Sequence, residues 1–197
     1  MILSQAELRQ AVEDGEIKFE PSLEERQWQA ATINLRLGLK FTKWKSASAA
    51  SISLAEGFEA VAALGLWSEK ILKENDEHGN RETYPLPRDS FVMAQTYEKV
   101  SVPTNLIAMI EGRSSYARCG LTVHQTAPFL QPGFSGRITL EIRNGGSLNI
   151  SLIPIVEMPC QIAFLRLTSR VPDEQAYGAR PTDSFQNQDR PIGGRSA

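Results

Sequence analysis

The chain has 197 residues, 41% hydrophobic and 22% charged, with a net charge of -2, which suits one good core in a globular protein. That balance supplies no basic field for a nucleic acid polymer, and no apolar run reaches membrane-spanning length. The start, Met1-Ile2-Leu3-Ser4-Gln5, carries no basic segment ahead of an apolar one, so no secretory signal is expected. The two cysteines, Cys119 and Cys160, are expected to be reduced core residues of a cytoplasmic protein.

In chain order, Ser4-Gln5-Ala6-Glu7 has capping-box spacing, and Leu8, Ala11 and Val12 follow at helical intervals. A short helix is predicted over residues 5–13, ended by Asp14-Gly15. Residues 32–38 alternate apolar and polar, the period of a half-buried strand. Residues 40–46 fit a strand; residues 51–72, rich in Ala and Leu but broken by Gly57 and Gly65, admit a helix. Residues 75–80 are a polar turn or loop, and residues 39–88 as a whole could be an elaborated hairpin inserted in the domain. From Pro85 onward strands dominate, over residues 90–96, 106–110, 121–126, 137–142, 148–153 and 161–167. No helical crossovers separate them, so a doubly wound parallel sheet is disfavoured and a mainly β sandwich or barrel is expected over residues 1–170. Residues 171–197 lack apolar periodicity, and composition alone reads them as a flexible tail.

The chemistry concentrates in residues 112–144. Gly112-Arg113-Ser114-Ser115 sets a guanidinium and two hydroxyls beside a glycine, and Arg118 adds a second guanidinium. Such a cluster suits phosphate oxygens, which arginine binds bidentately. A glycine-punctuated turn, Pro132-Gly133-Phe134-Ser135-Gly136, leads into a strand carrying one acid, Glu141, between Leu140 and Ile142. Phosphate donors followed by a half-buried acid point to a nucleotide site with a general base.

These residues resemble the dCTP deaminases, relatives of the trimeric dUTPases. The family pattern reads roughly GRSSxARxGLxVxxTAxxIDPGFxGxITLE. It is met here by Gly-Arg-Ser-Ser-Tyr-Ala-Arg-Cys-Gly-Leu from Gly112, His-Gln-Thr-Ala from His124, and Pro-Gly-Phe-Ser-Gly-Arg-Ile-Thr-Leu-Glu from Pro132. Residues 32–38 also resemble the family's SVDLRLG segment, with Asn34 in place of Asp. The resemblance implies a distorted jelly-roll barrel with an N-terminal helix, assembled as a homotrimer with sites between subunits. It implies zinc-independent deamination of dCTP to dUTP plus ammonia, with magnesium riding on the triphosphate. Glu141, its acidity weakened by desolvation, would take a proton from the water that attacks C4, deliver one to N3 and help ammonia leave. The Ser114 hydroxyl and the Ala127 carbonyl would position that water, and Arg118 would orient Glu141 and the base. Arg113, Ser114, Ser115 and Arg118 would hold phosphates. The strand from Arg137 through Thr139 and Leu140 to Glu141 would read the base by its backbone. Phe134 fits either the sugar or the core, and His124 reads as a hydrogen-bonded structural histidine. The tail becomes a lid, with Tyr177, Ser184 and Gln188 against the nucleotide.

Zinc deaminases carry H-x-E with P-C-x-x-C; neither His78 nor His124 is followed by x-Glu, and Pro159-Cys160 has no second cysteine. Three departures from the family stand out. Gln131 replaces an Asp that in dUTPases contacts the sugar and activates water; glutamine can hydrogen-bond but is no base. Ser184 replaces a lysine of the lid, for which Arg180 or Arg190 could substitute. The PGMxIGQ turn reads Ile-Val-Glu-Met-Pro-Cys-Gln from Ile155, keeping only Gln161. The alternatives are a dUTP diphosphatase or bifunctional enzyme, which Gln131 disfavours, and a non-catalytic nucleotide-binding homologue.

Overall fold

The computed structural model describes residues 1–45, 51–55, 57–76 and 78–192. The chain runs α1 (Gln5–Glu13), β1 (Lys18–Glu20), β2 (Ile33–Leu35), β3 (Lys40–Trp44), α2 (Phe58–Ala63), β4 (Trp67–Ile71), β5 (Tyr84–Leu86) and β6 (Phe91–Ser101). It continues through β7 (Leu106–Gly112), α3 (Ser114–Ala117), β8 (Leu121–Thr122), β9 (Phe129–Leu130), β10 (Ser135–Asn144), β11 (Ile150–Leu152) and β12 (Cys160–Arg166). The fold is mainly β with short helices. Position 46 of the strand expected from Lys40, position 77 of the polar loop and positions 193–197 of the tail lie outside the described residues.

α1 starts as its sequence dictates. The Ser4 backbone N–H and hydroxyl both donate to the Glu7 carboxylate, at 2.9 and 3.0 Å, and Leu8 and Ala11 turn inward. The largest sheet is ordered β4-β3-β6-β10-β8, with β1 also pairing β6. A second sheet runs β2-β12-β7-β9, and β5 pairs β11. Among the described residues these pairings make three sheets, none closed on itself. The core draws on both larger sheets and on α1 and includes Leu8, Leu35, Leu37, Leu140, Ile142 and Phe164, each 0% exposed.

Several expectations change. Residues 32–38 are not a half-buried strand: β2 spans only Ile33–Leu35, and Asn34 and Arg36 are buried with their apolar neighbours. Pairing inside the protein overrides the alternation. Glu98, wholly buried, accepts the Arg36 N–H at 2.9 Å, Arg36 Nε at 2.6 Å and Gln27 Nε2 at 2.9 Å, and Arg36 also pairs with Glu24. A buried carboxylate survives only with such donors. The helix admitted over residues 51–72 shrinks to α2, because residues from Trp67 pair with β3 in a hairpin with Trp44 opposite Trp67. The strand expected over 121–126 stops at Thr122, since the chain then turns towards Ala127-Pro128. Cys119 is exposed rather than in the core; Cys160 is buried, and both are free.

β10 and β6 shift register, with Arg137 opposite Lys99 but Thr139 opposite Gln95. The Thr96 hydroxyl accepts the Ile138 N–H at 3.0 Å and donates to the Glu98 carbonyl at 2.7 Å. It stands in for the missing ladder bond.

The tail follows the body rather than leaving it. The Tyr177 N–H donates to the Pro132 carbonyl at 2.8 Å, and the Asn187 N–H to Ser135 at 2.7 Å. Gly133, at φ 92°, accepts this crossing: a Cβ there would stand 2.8 Å from that of Ala176. No helix among the described residues is long and apolar enough to cross a membrane.

Candidate active site

Strand alternation places the acid. Along β10, Leu140 and Ile142 enter the core, so Glu141 faces the other way, half-buried, beside Met93 of β6. A cavity of about 490 Å³ opens there. Its walls include Ala127, Gln131, Thr139, Glu141, Tyr177 and Gln188. Six of the residues expected at the site therefore meet around one volume. The Glu141 carboxylate accepts the Gln125 N–H at 2.9 Å, and Gln125 Nε2 donates back to the Glu141 carbonyl at 3.3 Å. Gln125 thus fixes the acid. It sits inside the quoted motif, but nothing in its spacing announces this contact.

Ala127 has φ 59°, a left-handed conformation that costs an alanine energy and is further disfavoured ahead of Pro128. The Ile110 N–H holds the Pro128 carbonyl at 2.8 Å, so the turn is pinned from below. Backbone strain of this kind collects at functional sites. Gln131 is exposed on the rim, and its carbonyl accepts the Phe134 N–H at 3.0 Å. Phe134 is buried in the core and also lines the cavity.

The tail supplies one side of the cavity. Tyr177 packs against Phe134, ring centroids 5.9 Å apart, and its hydroxyl accepts the Phe185 N–H at 3.2 Å. Gln188 is 5% exposed. Its Nε2 donates to the Arg137 carbonyl at 2.9 Å, while its Oε1 is buried without a partner among the described residues. An orphan acceptor on a cavity wall suits a donor on a ligand. Asp189 accepts Lys40 Nζ at 2.7 Å and lies 3.4 Å from Arg137 Nε. The Lys40 hydrogen bond first, then the neighbouring positive charges, hold its carboxyl below the usual carboxylate range.

The other expected residues lie elsewhere. Arg113, Ser114, Ser115 and Arg118 sit on and around α3, and none lines the cavity. Ser114, Ser115 and Arg118 are exposed. Arg113 is partly committed: its Nη1 donates to the Met158 carbonyl at 3.0 Å, and its guanidinium lies 5.8 Å from the Tyr116 ring centre. Burial raises the pKa of both Glu157 and Tyr116, and the Glu157 charge adds to the effect on Tyr116. Burial also pushes the Cys160 thiol well up, which keeps it inert. Leu140 is wholly buried, so only its backbone could meet a ligand. The backbone edge expected to read a base is not open at Arg137, where Gln188 takes the carbonyl. Ser184 donates to Thr182 at 3.4 Å and is off the cavity wall. Arg180 is engaged with the buried Asp183 at 2.9 Å. His124 lies beyond β8, its Nε2 3.1 Å from the Glu111 carboxylate, which fits the structural role expected of it.

A family model described as dCTP deaminase-like matches residues 2–167. The chain is 34% identical over 196 residues to the dCTP deaminase, dUMP-forming, of Halobacterium salinarum, covering 99% of this chain and 94% of that one. It is 35% identical over 183 residues to the protein of the same name from Methanosphaera stadtmanae, covering 93% and 87%. It is 35% identical over 196 residues to the dCTP deaminase of Natronomonas pharaonis, covering 99% and 94%. The crystal structure of 2'-deoxycytidine 5'-triphosphate deaminase from Agrobacterium tumefaciens superposes with a TM-score of 0.62 over 88% of this chain and 50% of that chain; at 20% identity it speaks for the fold alone. With a family match that starts at residue 2 and ends at 167, and relatives matched over nearly their whole length, the chain belongs to the dCTP deaminase family.

Proposed function

We propose that the protein deaminates dCTP at the Glu141 cavity and carries the product on to dUMP. The observation that carries the reading is the convergence of Glu141, Ala127, Gln131, Thr139, Tyr177 and Gln188 on one volume. In the first step a water adds to C4 of cytosine as Glu141 takes its proton. Glu141 protonates N3, then assists departure of the amino group as ammonia, leaving dUTP. The Ala127 turn, which lines the cavity, would offer its backbone carbonyl to that water, and Gln125 keeps the carboxylate in place. In the second step a further water cleaves the α–β phosphate linkage, releasing diphosphate and dUMP. The dUMP-forming outcome is favoured by relatives of that name at 34% and 35% identity. Gln131 supplies hydrogen bonds but takes no proton, so the second step is slower than the first and dUTP is a transient.

A second reading, deamination that stops at dUTP, is favoured by Gln131 itself. The phosphates need cations, and among the described residues no Lys or Arg lines the cavity. Arg113, Ser114, Ser115 and Arg118 would supply them from a neighbouring subunit of a homotrimer, each site spanning two copies. Magnesium, when bound, neutralises charge on phosphate oxygens. Among the described residues no group of three or more His, Cys, Asp or Glu side chains is placed to hold a metal ion, so these residues fit magnesium only as an ion carried by phosphate and water. The jelly-roll barrel closed by further contacts belongs to the same reading.

The test is a time course of purified protein with dCTP and magnesium, every product resolved by chromatography. Ammonia with dUTP rising and then giving way to dUMP and diphosphate is expected. Lasting dUTP selects the second reading, and no ammonia at all overturns both.

A further inference from the structure

Among the described residues, the hairpin β3–α2–β4, whose role the sequence leaves open, reaches the cavity through one side chain. Phe58, the first residue of α2, lines the same cavity as Glu141. Gly57 precedes it at φ 83°, a conformation that L side chains resist, and this turns the chain into the helix. Behind Phe58 stands Trp67, ring centroids 6.0 Å apart, and Trp67 stacks on Trp44 at 3.6 Å. Beside it, Phe185 of the tail lies at 6.1 Å with its ring tilted 55°. Neither Trp44 nor Trp67 lines the cavity, whereas Phe58 and Phe185 both do. The Trp pair is therefore a backing, and Phe58 is the face it presents.

We propose that Phe58 is a specificity-determining residue that packs against the nucleoside end of the substrate, an inference that rests on the nucleotide reading of this cavity. An aromatic ring backed by stacked indoles is rigid and apolar. It holds a planar base or the carbon face of a deoxyribose and offers nothing to a phosphate. Its contribution is to binding of the uncharged part, independent of how the phosphates are held.

The test measures binding in the Glu141→Gln background, where turnover does not consume the ligand, with dCTP and inorganic tripolyphosphate as separate probes. Adding Phe58→Ala is expected to weaken dCTP about tenfold and to leave tripolyphosphate unchanged; Phe58→Leu, which keeps apolar bulk, lies between. Near-ultraviolet circular dichroism of the Trp44–Trp67 pair checks the hairpin, and if Phe58→Ala disturbs it the comparison is read from Phe58→Leu. Unchanged dCTP affinity overturns the proposal. So does an equal loss for tripolyphosphate, which would mean that Phe58 acts through the tail. If the wild type releases no ammonia from dCTP yet Phe58→Ala still weakens dCTP selectively, the deaminase reading fails and the assignment of Phe58 stands.

Discussion

At the scale of single residues, the acid and its holder decide the chemistry. Glu141→Gln keeps shape and loses the proton acceptor, so ammonia release should fall about 100- to 10,000-fold while dCTP still binds. Near-normal turnover would sink the mechanism. Glu157 tests electrostatics away from the cavity. Burial raises its folded pKa above the unfolded value, so the folded state binds the extra proton and stability falls as pH rises through that interval. Glu157→Gln can keep the bond that the Ile153 N–H makes to the carboxylate at 2.8 Å without any charge to desolvate. Its melting temperature should exceed that of the wild type at pH 7, with the gain shrinking towards pH 4. A pH-independent difference would show that packing, not charge, separates the two. Glu141 was legible because its neighbours Leu140 and Ile142 belong to the core. Gln125 was not, because its contact depends on how residues 123–128 turn. The polar face expected of Asn34 and Arg36 failed for a related reason: period reports direction, and a buried partner such as Glu98 cancels what direction implies for solvent.

At the scale of elements, strands were read more securely than anything between them. β7, β10 and β12 fall where alternation and turn residues put them, though β7 runs two residues longer, β10 two longer at each end, and β12 is shifted by one residue at the same length. The stretch between β3 and β5 was opaque, since its Ala and Leu content favours helix while pairing with β3 claims Trp67–Ile71 for the sheet. Tertiary pairing overrides propensity there. The tail resisted composition in the same way: its residues find hydrogen bonds on the Pro132–Ser135 turn instead of an apolar face. Two predictions belong here. Deletion after Val171 removes Tyr177, Phe185 and Gln188 from the cavity wall, and should raise the KM for dCTP; an unaltered KM would deny the tail any part in binding. Glu98→Ala strands Arg36 without its buried partner and should lower unfolding stability by about 3–5 kcal/mol, read by denaturant titration. A loss under about 1 kcal/mol would mean that Glu24 alone holds Arg36.

At the scale of the whole molecule, one chain presents the two halves of the proposed nucleotide site apart. Glu141 faces the cavity, whereas Ser114 and Arg118 are exposed on and beside α3, off its wall. If each site in a homotrimer joins the Glu141 of one copy to the Ser114 of the next, the two halves can be inactivated separately and recombined. Glu141→Gln and Ser114→Ala homotrimers should each be inactive. Co-expressed in equal amounts, they should form mixed trimers in which a site is intact when one copy brings Glu141 and its neighbour brings Ser114. Random assembly makes that about one site in four, so about a quarter of wild-type ammonia release should return. Sites built within single chains would recover nothing, because every chain would still carry one lesion. Verified mixing, by two affinity tags drawn down in sequence, makes the absence of recovery decisive against a shared site.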